Sequence, residues 1–571
     1  MRRLGWLSLL VIFLGLGVVL VSTRGAGRTI YVGGPIVTLD ETNRVVSGLG
    51  TDGDRIAMVG SEEEVRAWAG DDARVVDLQG HALLPGFIDA HGHFPGGGIY
   101  AVRADLNSPP IGTMESIEDI LTRLRQEASK TDPGDWIVGM GYDDTLLEEK
   151  RHPTRDDLDR VSRDHPIGIL HVSGHLAVVN SKALERIEID ESTPDPQGGH
   201  FGREPGTGRL NGLLEENATQ AVMLEAVTPG VFEILDIMQE GTRRYVAAGV
   251  TTAQSGYTSE TQADIMALAS RLGVIPLRLV LWPGMEAADA LLAGDWEFES
   301  YDEDWVKLGA VKLIADGSIQ GYTGYLSEPY HMPPGDDPDY RGYPRIPRDE
   351  LIERVGRYHA AGMQVAIHGN GDASIDDILD SLEAAQQNSP RPDARPIIIH
   401  AQMTREDQLD RIAKLEAIPS FFVLHTYYWG DRHRDLFMGP ERAFRMSPTA
   451  SAESRSIPYT IHADSPVVPM EPLRIVWSAV NRRSTSGQLI GDAQRISPIE
   501  ALRGVTIRAA RQHFEEANKG SLEVGKFADL VILSDSPLEV PPDAIDDISV
   551  VETIVGGETV YRKPGFDALR D

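Results

Sequence analysis

His91 and His93 stand one residue apart at the end of an apolar run, in PGFIDAHGH at 85–93. In a strand, residues i and i+2 project to the same face, so two neutral imidazoles at this spacing can grip one cation. A lone His-x-His pair is weak evidence, because two polar residues at any strand end satisfy the pattern. What strengthens it lies further along the chain. His368 follows Val365-Ala366-Ile367, His400 follows Ile397-Ile398-Ile399, and Asp464 follows Thr460-Ile461-His462-Ala463. Lys312 is embedded in Val311-Lys312-Leu313-Ile314, where an unpaired ammonium would be costly to bury. One physical solution is addition of CO2, which turns the amine into a carbamate able to bridge two cations. The chain has no cysteine, which excludes thiolate ligands, disulfides and a cysteine nucleophile; His, carboxylate or modified lysine must hold any metal.

These residues need elements that bring them together. Short apolar runs occur at 83–90, 250–255, 276–282, 310–315, 364–367, 396–399, 418–424 and 458–461, and most intervals between them carry a helical pattern, as at 349–361 and 404–416. Eight buried parallel strands alternating with helices predict an α/β fold built on a (β/α)8 TIM barrel, whose chemistry collects at the C-terminal strand ends. The interval 94–249 is too long for one crossover, so it predicts an α/β insertion after the first barrel strand, hanging over the barrel mouth. Its helical stretch 232–248 then feeds the second strand. Residues 29–85 and 520–562 read as short strands broken by Gly, Asp and Asn. Neither piece suffices alone, and pairing them predicts a small β-sandwich domain made from both chain ends, with the barrel over 86–519. The Pro- and Gly-rich segment 329–347 reads as a long loop over the active face.

The 571 residues carry a formal charge of −33, from 54 basic and 87 acidic side chains. That balance argues against nucleic acid or an anionic membrane surface as the main partner. A small-molecule substrate is the expected partner, with a homodimer an open assembly state. Arg2 and Arg3 precede an apolar run over 4–21. This layout predicts a signal peptide or N-terminal membrane anchor over 1–28 and a catalytic part outside the cytoplasm, periplasmic or at the cell surface, with membrane contact only through that segment. No G-x-S-x-G elbow or P-loop is present.

The motifs LPGFIDAHGH at 84–93, SGHLAVVNSKAL at 173–184, VKLIADGS at 311–318, HGNGD at 368–372, HAQ at 400–402, ADSPV at 463–467 and KGSLEVGKFADLVIL at 519–533 together resemble the amidohydrolase superfamily. The likeness is greatest to its amidohydrolase family 3 branch, which includes N-substituted formamide deformylase-like enzymes, and it spans about 30–562. The resemblance implies a metal-dependent hydrolase that cleaves an amide or formamide-type C–N bond with metal-activated hydroxide. It implies a binuclear Zn2+ site: His91 and His93 on the buried ion, His368 and His400 on the exposed one, a carbamylated Lys312 bridging, and Asp464 on the buried ion. A single-metal variant with unmodified Lys312 is the alternative. Asp464 would shuttle the proton from water to the leaving amine.

His175 resembles a family position that overhangs the site and contacts substrate, and Asp316, after the Lys312 strand, is expected to shape the substrate pocket. Tyr142, Glu215, His425 and Trp429 are weaker candidates for the lining, whereas His152, His171, His462 and His513 receive no role. The aromatic run at 421–429 departs from the family pattern and suits an apolar wall for a bulky acyl or amine group, which puts a narrow formamide specificity in doubt. Two rival readings stand beside this one. A deaminase on the same fold would carry a glutamate shortly after the fifth-strand histidine, where this chain has Gly369-Asn370-Gly371-Asp372. A non-catalytic, membrane-tethered relative would have lost ligands that this chain keeps.

Overall fold

The computed structural model describes residues 27–226 and 229–566. The expected signal or anchor segment lies, but for its last two residues, outside the described residues. Among the described residues no helix is long and apolar enough to cross a membrane.

The apolar runs become parallel strands that are mostly buried, as strands covered on both faces must be. Phe87–Ile88, Val250–Thr258, Arg278–Pro283 and Val306–Leu308 form one sheet in that order, and Val311–Ile314, Val365–Gly369, Ile397–His400, Ile418–Phe421 and Thr460–Ile461 form a second. All pairings within the two sheets are parallel. Val306–Leu308 and Val311–Ile314 are one run interrupted at Gly309-Ala310. A Cβ on Gly309 would lie 2.6 Å from the Trp282 ring, so the glycine makes room for that indole. Beyond the last strand, His93 N donates to Ser465 O at 2.7 Å, which ties the end of the array back to its beginning. Amphipathic helices alternate with the strands, among them Glu260–Arg271, Arg348–Ala360, Asp372–Asn388 and Glu406–Lys414. Ser259 caps the first of these through a reciprocal pair with Gln262, satisfying amides that the helix start leaves open.

The run 83–90 does not form one strand. It breaks at Gly86, whose amide donates to Asp529 O. Ala82–Pro85 joins the terminal sheet, and only Phe87–Ile88 joins the parallel array. The terminal sheet has eight strands, ordered Glu558–Arg562, Val550–Val555, Leu530–Leu533, Ala82–Pro85, Arg28–Val37, Val45–Asp52 and Arg55–Gly60, with Arg74–Asp77 also on Arg28–Val37. Hydrogen bonding thus joins both chain ends into one mixed sheet. Between residues 88 and 250 a separate six-stranded mixed sheet runs Gly199–Arg203, Leu210–Glu216, Leu176–Val179, Ile167–His171, Ile137–Tyr142, Ala104–Asp105. It has its own apolar clusters, around Leu121, Leu124 and Ile169 on one side and Leu170, Leu214 and Val222 on the other.

Candidate metal centre

Every residue of the expected ligand set lies at or beyond the C-terminal end of a strand of the parallel array, apart from Lys312, which lies inside Val311–Ile314. His91 and Lys312 are buried, His93 is 39% exposed at its side chain, and His368, His400 and Asp464 are buried. The tautomers of the first two imidazoles follow from their neighbours. His93 Nδ1 lies 2.9 Å from Gly256 O, an atom that can only accept, so Nδ1 carries the proton. His91 Nδ1 lies 3.0 Å from Gln254 Oε1, an oxygen whose orientation is fixed because Gly92 N also donates to it at 2.9 Å. In both rings the proton on Nδ1 leaves Nε2 as a lone-pair acceptor.

Both lone pairs face the same oxygen. His91 Nε2 and His93 Nε2 lie 3.3 and 3.4 Å from Asp464 Oδ1, and that buried oxygen has no hydrogen-bond partner. The three ligand atoms lie within 4.8 Å of one another. Burial holds His91 well below the usual imidazole range. Burial would raise the Asp464 carboxyl, and only positive charge among His93, His400 and His91 brings it well below the usual carboxylate range; neutral rings cannot supply that charge, and a cation in their midst can. Lone pairs opposed at this distance with no proton between them are unfavourable in a dry interior. A cation resolves the conflict, and ligand atoms on a tetrahedral zinc stand about 3.3 Å apart. The donor set therefore fits a divalent metal.

Lys312 Nζ lies 3.0 Å from His91 Nε2. Burial drives its amine down to about 7, with Asp464 acting in the opposite direction. His400 Nε2 is 3.9 Å from Asp464 Oδ2, and the His400 and His368 rings stand edge to face with centroids 4.5 Å apart. Burial keeps both of these imidazoles well below their ordinary range, so their nitrogens are also available as ligands. The structure thus gathers all six residues expected at the metal.

Asp316, expected on the substrate side, is elsewhere. Its carboxylate is wholly buried and accepts from the backbone amides of Tyr325, Asn370 and Gly371. It lies 3.2 Å from His368 Nδ1. A carboxyl group enclosed in this way stands behind the His368 ring and has no face left for substrate, although His368 Nδ1 makes no hydrogen bond to it. His175 does stand over the site, its ring centroid 5.1 Å from that of His368.

The weaker lining candidates divide. Trp429 Nε1 donates to Asp143 Oδ2, Tyr142 pairs with His152, and Glu215 accepts from Tyr343, all contacts within or against the insertion. His425 lies closer to the centre, its ring 6.3 Å from His400.

Sequence reasoning missed His462 and Glu216. His462 is 1% exposed, its ring is 5.2 Å from both His91 and His400, and neither of its nitrogens has a hydrogen-bond partner among the described residues. The signal was present: His462 precedes Asp464 by two residues, the spacing that singled out His91 and His93. Glu216 lies 2.8 Å from His175 Nδ1 through Oε2. Burial would raise its carboxyl, but His175 and Arg345 outweigh burial and hold it below the usual range.

A profile of the amidohydrolase family matches residues 74–561. The amidohydrolase-type protein YtcJ of Bacillus subtilis is 28% identical over 553 residues, covering 94% of this chain and 100% of its own. An N-substituted formamide deformylase of Arthrobacter pascens is 26% identical over 550 residues, covering 92% of this chain and 97% of its own. Among solved structures, an uncharacterized metal-dependent hydrolase from Pyrococcus horikoshii OT3 superposes with a TM-score of 0.70 at 25% identity, over 90% of this chain and 99% of that one.

Proposed function

The chain belongs to the amidohydrolase family, a metal-dependent hydrolase acting on C–N bonds, and from that premise we propose that it hydrolyses an amide or formamide-type bond at the centre just described. One observation carries the reading: two imidazole lone pairs of fixed tautomer converge on an unpartnered carboxylate oxygen. The formamide deformylase relative supports the bond type. We read the parallel array as a closed (β/α)8 barrel, supported by the His93–Ser465 and Asp464–His91 backbone bonds across its two ends.

The residues divide the work. His91, His93 and Asp464 would hold one Zn2+, and His368 and His400 a second. A metal bound there would supply a Lewis acid and bring water's pKa toward neutrality. Lys312, with its amine down at about 7, keeps a free lone pair at neutral pH. That lone pair can add to CO2, forming an N–C bond and losing a proton to solvent, and the product is a carboxylate between the two ligand groups. Asp464, held ionised, takes a proton from the attacking water and returns it to the leaving nitrogen. Gln254 and Gly256 O hold His91 and His93 in register, and Asp316 stands 3.2 Å behind His368 Nδ1. The apolar segment 4–21 supports an extracytoplasmic location, secreted or anchored.

The test is metal analysis of the purified protein, a mass measurement on the Lys312 peptide, and a hydrolysis panel of formamides, larger amides and nucleobases. Stoichiometric metal with amine release from amides is expected. Metal-free active protein, or ammonia release from nucleobases alone, would overturn the reading.

A further inference from the structure

Glu216 sits in the last position of Leu210–Glu216, at the edge of the insertion that faces the metal centre. Its backbone has φ 51° and ψ −121°, a conformation that is strained for a non-glycine residue and persists only where surroundings impose it. The carboxylate is 1% exposed. Three separate segments are shaped around it. From the insertion, His175 Nδ1 lies 2.8 Å from Oε2, and Glu216 N donates to His175 O at 2.8 Å. From the loop over the array, Arg345 Nη1 reaches Oε2 at 3.4 Å, while Arg345 N donates to Ala315 O beside the Lys312 strand. From that strand's end, Gly317 leaves the space that Oε1 occupies: a Cβ there would lie 2.0 Å from it.

A carboxylate oxygen held between an arginine and an imidazole accepts from both, so the His175 proton belongs on Nδ1. Nε2, at the opposite edge of the ring, makes no hydrogen bond among the described residues, and the ring faces His368. We propose that Glu216 is a positioning residue that fixes the proton of His175 on Nδ1 and so presents Nε2 to the substrate beside the metal centre. The proposal rests on the hydrolase reading for its substrate half, whereas the tautomer half stands on the dyad alone. A carboxylate that merely stapled the insertion to the array would have no need to meet the imidazole edge-on.

Two measurements on the full-length protein test this. In the first, ring 15N shifts of His175, assigned by their loss in His175→Gln, are recorded with and without bound metal. The wild type is expected to carry its proton on Nδ1 and Glu216→Leu to lose that preference, with Glu216→Gln, which keeps an acceptor oxygen, restoring it. A wild-type His175 protonated on Nε2 alone overturns the proposal even where Glu216→Leu fails to fold. The second is a kinetic cycle. Glu216→Leu is expected to lower kcat about 10–100-fold with metal content unchanged, and the double variant with His175→Gln to be no slower than His175→Gln itself. Additive losses, or loss of metal from Glu216→Leu, would assign Glu216 a different role. Absence of turnover with an intact Nδ1–H tautomer would defeat the hydrolase reading and leave the positioning in place.

Discussion

Among the described residues, two groups of acids and imidazoles, each mostly buried, bring their ligand atoms together. At the array, His91, His93 and Asp464 fall within 4.8 Å; in the insertion, Asp143, Asp144 and His171 do the same. What separates them is where their lone pairs are spent. Asp143 Oδ1 accepts from the amide and hydroxyl of Thr145, and Oδ2 from Trp429 Nε1 and Arg432 Nη1. A carboxylate offers about four acceptor sites, and in Asp143 all are used. Asp144 Oδ1 and His171 Nε2 have no hydrogen-bond partner among the described residues and lie 3.2 Å apart, but Ser173 N donates to His171 Nδ1, so that ring's proton belongs on Nε2, toward the carboxylate. Asp464 Oδ1 has no hydrogen-bond partner although two imidazoles face it. Residue type and distance therefore do not define a metal site. The accounting of protons does, and it makes the insertion cluster a clamp between the insertion and the segment after the seventh apolar run.

The contrast breaks most sharply at Asp464. Asp464→Asn should lower turnover by about 10⁴-fold, the upper range for loss of a proton-transfer group, while the protein keeps its melting transition. Steady-state kinetics beside a thermal melt checks this, and an Asn variant with wild-type turnover would remove Asp464 from the mechanism.

Lys312 gives the next effect, and its sign is fixed by linkage. Its folded value, about 7, lies below the ordinary 10.5. The metal-free fold therefore bears the full cost of a buried ammonium below about pH 7. The cost shrinks as pH rises through the interval and vanishes above the unfolded value. In metal-free, CO2-free protein, Lys312→Met should gain ~4–5 kcal/mol at pH 6 and progressively less toward pH 10, measured by denaturant unfolding. An advantage independent of pH would mean that Lys312 is not titrating in the fold.

The insertion cluster predicts the opposite pairing of readouts. Asp143→Asn leaves the buried side of Arg432 without its counter-charge and should cost about 3 kcal/mol of stability. Metal stoichiometry should not change. If metal is lost along with stability, the two clusters are not independent and the accounting of lone pairs above is incomplete.

How much of this could be read from the chain depended on distance along it. His91, His93, His368, His400 and Asp464 could be grouped from the sequence because each follows an apolar run, and the C-terminal strand ends of a parallel array fall on one side of it. Lys312 stood out because burial makes a charge conspicuous. The break at Gly86 was not readable, since its cause is a hydrogen bond to Asp529 near the other end of the chain. Whether Asp316 lies before or behind His368 depends on where the amides of Tyr325 and Gly371 arrive, which no local pattern encodes. Glu216 is the second of two adjacent acids, and nothing in the local sequence encodes the turn at φ 51° that aims it inward. His462 is the instructive omission, because the same-face rule applied to His91 and His93 reaches it from Asp464.

The smallest effect tests the tautomer argument itself. Gln254 touches no expected substrate and carries no charge, yet its Oε1 accepts from both His91 Nδ1 and Gly92 N. Gln254→Leu keeps the side chain's bulk and removes that acceptor. His91 is then free to place its proton on Nε2, the atom that faces Asp464, and each such ring is lost to the metal. Metal affinity should fall about 10–100-fold, as for other groups that orient a ligand from behind, with stoichiometry at saturation unchanged. Competition with a chelator of known affinity measures it. An unchanged affinity would show that the approach of His91 to Asp464 is imposed by the strand and by the Trp282 ring stacked on it at 5.3 Å, and that the fixed proton on Nδ1 contributes nothing.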